Sequence, residues 1–296
     1  IHAASAAAPE LRSLTPGGVA EATAYVGRGD LARAERRALD NLALCDRIGD
    51  RLNKSYTEYV LSIVSYYRGA LEDALHAVTS AQQSLDPSDA RHGAVGFASW
   101  EIWVAASLGQ LERAEARLAA TRGAFGTHDR LSEGIWHGVR AAVEARLGRL
   151  ESARRAVSEA YRCVPVSRSA APTGGGLIAG VLETALLGRT LQPSRSTDAD
   201  LDRALAYGQQ WARTYPIGQP SYLVYKARAE ALRGNDVRAR ALLAQAIDRA
   251  QRQGNVMGEL LARLASGQRP ALPAVAESVL EAVARADERA RHNNPT

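Results

Sequence analysis

Residues 29–34 read GDLARA, and the same order of Gly, Leu and Ala returns three times at a nearly constant interval. The later copies are GALEDA at 69–74, GQLERA at 109–114 and GRLESA at 148–153, so that successive glycines lie 40, 40 and 39 residues apart. Weaker copies follow at Gly188 and Gly234. Self-similarity at a fixed period of about 20–50 residues is the sequence signature of a repeat architecture. The chain is therefore predicted to consist of repeated structural units.

The predicted unit is a helical hairpin, with the glycine at the turn between its two helices. Helix-forming residues precede and follow each glycine, and glycine supplies the positive φ that ends a helix. The Leu and Ala after it lie three positions apart, so they share one face of the second helix. The Ala has to be small because a neighbouring helix crosses close to it, at Ala34, Ala74, Ala114 and Ala153. A hairpin cannot bury both of its faces alone, so hairpins are expected to stack into a solenoid.

The sequence divides into a linker, a repeat domain and a terminal helix. Residues 1–14 are rich in Ala and Pro, as linkers are, whereas residues 15–268 hold about six predicted hairpins. Within the fifth, residues 189–200 contain Pro193 with several Ser, Thr and Asp residues, which predicts an inserted surface loop. Residues 269–296 are predicted to form an amphipathic capping helix and a polar tail. The predicted fold is all-α: a right-handed superhelical solenoid of about six helical hairpins plus a C-terminal capping helix.

Composition and charge exclude several classes of protein. With 46% hydrophobic residues, the chain of 296 residues is too apolar to be disordered, and two cysteines cannot build a disulfide scaffold. No run approaches the roughly 18 consecutive apolar residues of a membrane span. The net charge is +5, but acids alternate with arginines along the chain, which is typical of solvated helix faces and not of a nucleic-acid patch. We expect a cytoplasmic protein whose partners include neither membranes nor nucleic acid.

The pattern Gly-x-Leu-x-x-Ala between paired helices resembles the tetratricopeptide repeat. The segment Asp46-Arg47-Ile48-Gly49-Asp50 is also similar to the helix-end segment common in bacterial repeats of this kind. The resemblance covers about residues 15–268, but the period near 40 residues departs from the family's usual length of about 34. The longer unit resembles the variants attached to bacterial signalling ATPases, transcription regulators, kinases and nucleotide cyclases. The resemblance implies a sensing or docking arm of such a protein.

The resemblance also implies where a partner binds. In tetratricopeptide solenoids the first helices of the hairpins line a concave groove, and counting back from each glycine selects the groove-facing positions. The candidates for partner binding selected in this way are Tyr56, Tyr59, Ile63, Tyr66, Tyr67, Trp103, Arg146 and Arg228. Tyr and Trp offer large contact areas with a polar end, and Arg can hold a carboxylate or phosphate through two hydrogen bonds. The alternative left open by the sequence is that the aromatic side chains are core packing between hairpins.

Motifs of catalytic, metal or cofactor sites do not emerge from the sequence. The six histidines show no ligand spacing, and no Gly-x-Ser-x-Gly motif is present. The glycines at 174–176 lack the Lys-Ser/Thr pair of a phosphate-binding loop and are predicted to lead into a helix. The alternating aspartates at 198–202 lack the central Gly and the final Glu of a calcium loop, and acids are favourable at a helix start. We therefore predict no catalytic residue, no metal ligand and no cofactor.

Two functional hypotheses follow. The first is a non-catalytic protein-interaction and regulatory module that binds a peptide, a protein partner or another domain of the same polypeptide in its concave groove. The second is a small-ligand sensor domain of a transcription regulator or signalling ATPase. An open amphipathic groove favours the first hypothesis, and a closed pocket favours the second.

Overall fold

The structure is a stack of helical hairpins. This computed structural model describes residues 11, 13–85, 90–123, 129–165 and 171–268, and within these ranges it contains thirteen α-helices, one 3-10 helix at Pro216–Gly218 and no strand. The helices are α1 Thr15–Arg28, α2 Leu31–Ile48, α3 Arg51–Tyr67, α4 Leu71–Ser84, α5 Ala90–Ser107, α6 Leu111–Thr121, α7 Arg130–Arg146, α8 Leu150–Cys163, α9 Gly175–Leu191, α10 Arg195–Thr214, α11 Gln219–Leu232, α12 Asp236–Gln253 and α13 Val256–Ala265. They pair into six successive hairpins, α1–α2 through α11–α12, and α13 packs on the sixth, which confirms the all-α solenoid. The predicted capping helix and most of the predicted linker lie outside the described residues.

The repeated glycines end the first helix of five hairpins, as predicted. Their φ angles lie between 76° and 81°, at Gly29, Gly69, Gly109, Gly148 and Gly234. The residue after the glycine donates its backbone N–H to a carbonyl five positions back, from Asp30 to Tyr25 in the first hairpin and from Ala70 to Ser65 in the second. This bond satisfies a carbonyl at the helix end that otherwise lacks a partner. The four alanines of the pattern are 0% exposed, which confirms the close helix crossing beside them.

The fifth hairpin corrects one prediction, because residues 189–200 do not form a surface loop. Helix α9 continues through Gly188 to Leu191, and α10 begins at Arg195, so only three residues connect them. The Ser194 side chain accepts a hydrogen bond from the backbone N–H of Thr197, and the Thr197 hydroxyl accepts one from the backbone N–H of Ser194, which forms a capping box. The Ser, Thr and Asp residues that suggested a loop are therefore the cap and first turn of a helix.

Helices α7 and α9 approach each other at two glycines. A Cβ atom on Gly180 would lie 1.8 Å from the carbonyl oxygen of Gly138, and one on Gly138 would lie 2.4 Å from the Cα of Leu177. Gly176, in the first turn of α9, faces Val139 and Trp103 in the same way. The glycine-rich segment before Leu177 thus leads into a helix, as predicted, and its lack of side chains allows two backbones to come into contact.

Gly180→Ala is expected to lower the free energy of unfolding by about 1–3 kcal/mol, because the new methyl group has to push α7 and α9 apart. Gly96→Ala in α5 is the matched control. A Cβ atom there meets nothing within 4 Å, so the substitution is expected to stabilise by about 0.4–1 kcal/mol through the unfolded chain. Urea unfolding followed by circular dichroism measures both. Equal effects of the two substitutions would contradict the backbone contact between α7 and α9.

The first and last parts of the stack touch each other, so the solenoid closes on itself. Helix α1 contacts the 3-10 helix that follows α10, and α3 contacts α13. We call this junction the seam. It includes Gly27, Gly29 and Gly69 on one side and Pro172, Tyr215, Gln253 and Val256 on the other. With the seam closed, side chains of the first helices meet one another inside the stack, where Glu183 of α9 bonds to both Arg146 of α7 and Tyr225 of α11.

Candidate functional site: the inner face of the solenoid

An arginine–glutamate pair lies at the centre of the inner face. Arg146, at the end of α7, donates from Nε to Glu183 Oε2 at 2.9 Å and from Nη2 to Glu183 Oε1 at 2.8 Å. Its Nη1 donates to the backbone carbonyl of Ala106 at 3.0 Å, which leaves the guanidinium well satisfied. The two side chains are only 14% and 16% exposed. Such a bidentate pair is among the stronger ionic contacts that a protein can make.

Aromatic side chains surround this pair. The Arg146 guanidinium carbon lies 4.7 Å from the ring centroid of Trp103, within the range of a cation–π contact. The hydroxyl of Tyr225 donates to Glu183 Oε1 at 2.9 Å. The Tyr66 ring lies 6.2 Å from that of Trp103, measured between centroids. We call Tyr66, Trp103, Arg146, Glu183 and Tyr225 the inner cluster; it joins five first helices, from α3 to α11.

Burial and neighbouring charges raise the pKa values of the titratable groups in the inner cluster, so that these groups stay protonated. Burial raises the pKa of Tyr225 well above its ordinary value, and the neighbouring Glu183 carboxylate raises it further. Burial also raises the pKa of Tyr66. For Arg146, burial alone lowers the pKa, but the facing Glu183 carboxylate outweighs it and the net change is upward. Both tyrosines therefore stay neutral across the physiological range, with Tyr225 as a donor to Glu183, and the arginine stays a cation.

Three of the eight predicted binding residues, Tyr66, Trp103 and Arg146, belong to the inner cluster. Ile63, Tyr66, Tyr67 and Trp103 are buried. The other four candidates, Tyr56, Tyr59, Arg146 and Arg228, are partly exposed. The carboxylate that Arg146 holds is the chain's own and not a partner's, because Glu183 reaches it from the next first helix. With the seam closed, the buried aromatic side chains therefore serve as core packing between hairpins. Partner binding by the eight candidate residues stays a prediction.

Glu183 is the residue of the inner cluster that the sequence reasoning missed. It lies on α9, whose glycine does not end the helix, so counting back from Gly188 does not lead to it. A different signal was available: Glu183 is the only charged residue between positions 171 and 188. A single charge on a long apolar helix has to find a partner when that helix is buried.

Other reactive groups in the described residues do not converge on a site. Both cysteines are buried, and burial raises the pKa of Cys45 to about 11, which keeps it a thiol at neutral pH. Among the residues described by the structure, no group of three or more His, Cys, Asp or Glu side chains is placed to hold a metal ion. Of the thirteen described helices, none is long and apolar enough to cross a membrane.

No protein-family model matches the chain, and no curated protein is similar enough in sequence to count as a relative. The comparisons therefore assign neither a family nor a function.

Proposed function

We propose that the chain is a non-catalytic protein-interaction and regulatory module whose closed ring covers its own binding face. The observation that supports this function is the occupation of Arg146: Glu183 holds its guanidinium in the way that a partner's carboxylate would. Aromatic side chains flank the pair, as at the centre of many protein interfaces. The chain would then serve as the sensing or docking arm of a larger bacterial signalling protein in the cytoplasm.

The seam is the element that opens in this proposal. It joins hairpins that are distant in sequence, whereas successive hairpins bury long rows of Leu, Val and Ala against each other. A partner that prefers the open form shifts the population towards it by as much as its affinity for the two forms differs. An acidic peptide is the partner chemistry that fits, since Arg146 then exchanges one carboxylate for another and is not left as a buried unpaired charge.

Opening the seam by mutation tests the proposal. A Cβ atom on Gly27 would lie 3.2 Å from the Tyr215 ring, so Gly27→Leu is expected to push the seam apart. Gly17→Leu on the same helix is the control, because a Cβ atom there meets nothing within 4 Å. Small-angle scattering is expected to give a larger radius of gyration for Gly27→Leu only. An unchanged radius for both variants would contradict an openable seam.

Peptide selection then tests the binding face. In selection from a library of random displayed peptides, the Gly27→Leu variant is expected to enrich peptides that contain Asp or Glu. The parent protein is expected to enrich few peptides of any kind. Adding Arg146→Met together with Glu183→Leu to the opened variant removes the charge pair while avoiding an unpaired ion, and should abolish the acidic preference. Equal enrichment with and without Arg146 would exclude the inner cluster as the binding site.

The second candidate function is a small-ligand sensor. The specific observation that favours it is a cavity of about 230 Å³ between α8, α9 and α10, away from the inner cluster.

A further inference from the structure

The connection between α8 and α9 ends in a turn that other helices cover. Gly174 donates its backbone N–H to the carbonyl oxygen of Ala171 at 2.8 Å, which closes a four-residue turn with Pro172 at its second position. Connections between helices normally run over the surface of a domain. Here Gly174 is buried, and the other three residues of the turn are only partly exposed. We call residues 171–174 the covered turn.

Helix α10 holds the covered turn through Trp211. The indole Nε1 donates to the carbonyl oxygen of Ala171 at 3.1 Å, the same oxygen that closes the turn. The Trp211 ring is fixed on both sides, because a Cβ atom on Gly218 would lie 1.8 Å from it and one on Gly175 would lie 3.9 Å from it. Trp211 is only 3% exposed. The turn is therefore bound by a donor that cannot move away from it.

Helices α1 and α3 contact the covered turn from the other hairpins of the seam. A Cβ atom on Gly27 would lie 3.4 Å from Cγ of Pro172, so the proline ring lies against the backbone of α1. Burial raises the pKa of Tyr59 on α3, and a hydrogen bond with the Thr173 side chain opposes that rise. Four residues of a connection thus touch the first, second and fifth hairpins together.

The covered turn also lies next to the inner cluster. Tyr67 packs edge-on against Tyr66 of the cluster at 5.3 Å, and its hydroxyl oxygen lies 3.2 Å from the Cβ position of Gly175, the residue after the turn. A Cβ atom on Gly176 would lie 3.2 Å from the ring of Trp103, another member of the cluster. The position of the turn is therefore coupled to the surroundings of the inner cluster.

The covered turn can leave its place while the helices stay folded. It precedes the first residue of α9, Gly175, and is joined to the other hairpins by its contacts with Trp211, Tyr59 and Gly27. Segments with few such contacts open at a lower free energy than packed helices do. Displacing the turn thus requires much less than unfolding the stack.

We propose that Tyr59 and Trp211, with the bare backbone at Gly27, form a peptide-binding surface whose intramolecular ligand is the covered turn, and that the bound turn holds the seam closed. A partner that prefers the open form has to displace the turn, so the affinity of the turn for its surface sets how much of the open form exists. This inference rests on the proposed function, because it concerns how the same inner cluster becomes accessible.

Hydrogen–deuterium exchange of the whole chain tests the surface from both sides. Pro172→Gly removes the ring that lies on α1, and Trp211→Phe removes the donor to Ala171. In each variant, the amides of residues 24–30 at the end of α1 are expected to exchange about tenfold faster than in the parent. The amides of residues 76–82 in α4, on the outer layer, should exchange as in the parent.

Each variant has a matched control that lies away from the seam. Pro193→Gly makes the same change in the exposed connection between α9 and α10. Trp136→Phe also removes a buried indole donor, which bonds to the Thr121 hydroxyl at 3.0 Å. Neither control should speed exchange at residues 24–30 selectively. The proposal is overturned if Pro172→Gly and Trp211→Phe behave there like their controls.

A reversible cross-link tests whether the turn itself closes the seam. A Cβ atom on Gly27 would lie 3.5 Å from Cβ of Pro172, which matches the spacing of about 3.5–4.5 Å in a disulfide. In the double variant Gly27→Cys with Pro172→Cys, oxidation is expected to slow exchange at residues 24–30 below the rate of the parent, and reduction to raise it above that rate. Both native cysteines are buried, so the new pair is the one that oxidises. Equal exchange in the oxidised and reduced forms would contradict the proposal.

These measurements use no partner, so they separate this inference from the proposed function. Faster exchange at residues 24–30 without enrichment of acidic peptides by the opened variant would support the turn as the ligand and reject the acidic partner. Enrichment of acidic peptides with unchanged exchange in Pro172→Gly and Trp211→Phe would reject the turn and leave the proposed function standing.

Discussion

Glu183→Ala is expected to lower the free energy of unfolding by about 3–5 kcal/mol, because it leaves a buried charge without its partner. The substitution leaves the Arg146 guanidinium buried beside Trp103 without its carboxylate. It also removes the acceptor of the Tyr225 hydroxyl. Urea unfolding at pH 7 measures the loss through the shift of the midpoint.

A double variant separates the cost of an unpaired charge from the value of the pair. Arg146→Met with Glu183→Leu replaces both ions by apolar side chains and is expected to be within about 1–2 kcal/mol of the parent, or more stable. Asp248→Ala, which breaks an exposed ion pair with Arg252 on α12, should change the stability by less than about 1 kcal/mol. A double variant that loses as much as Glu183→Ala alone would show that the pair itself holds the first helices together.

Tyr67→Ala is expected to cost about 3–5 kcal/mol as well, as truncation of a buried aromatic side chain does. Tyr67 is 4% exposed, its ring packs edge-on against Tyr66 at 5.3 Å, and its hydroxyl lies at the start of α9 beside Gly175. The loss therefore combines a cavity in the core with a weakened contact across the interior. Thermal and urea unfolding should agree on it.

Tyr25→Ala on α1 is the matched control, because the Tyr25 hydroxyl bonds to an exposed carboxylate and its side chain is partly exposed. Its cost should stay near 1 kcal/mol. If Tyr67→Ala were equally mild, the interior of the ring would be loosely packed in solution, which would favour an accessible binding face over a sealed one.

Local rules made the hairpins predictable from the sequence. A glycine that has to adopt a positive φ, followed by a buried Leu and Ala, determines a turn and the face of the next helix from six neighbouring residues. The same rules misled at residues 189–200, because Ser and Asp favour both loops and helix starts. Only the pairing of Ser194 with Thr197 three positions later distinguishes a cap from a loop, and that pairing is weaker than a Ser-to-Glu signature.

The closed ring could not be predicted in this way. The curvature of a solenoid is the sum of small rotations between neighbouring hairpins, and no short sequence pattern predicts that total curvature. The register placed Tyr66, Tyr67, Trp103 and Arg146 towards the interior, but their burial depends on residues from distant hairpins. Glu183 reaches Arg146 across 37 positions of sequence and Tyr225 reaches Glu183 across 42, and the seam joins residues even further apart.

The seam also has a consequence for synthesis on the ribosome. A linear array of repeats can fold from its first unit onwards, because each repeat needs only its neighbour. Here the ends of α1 and α3 reach their final surroundings only when Tyr215 and Val256 have been translated. At about 5–20 residues per second, the earliest hairpins wait roughly ten seconds or more for that contact. These two hairpins are thus among the last parts of the stack to be finished, and a chain truncated before Pro172 would leave Gly27 without either of its seam partners.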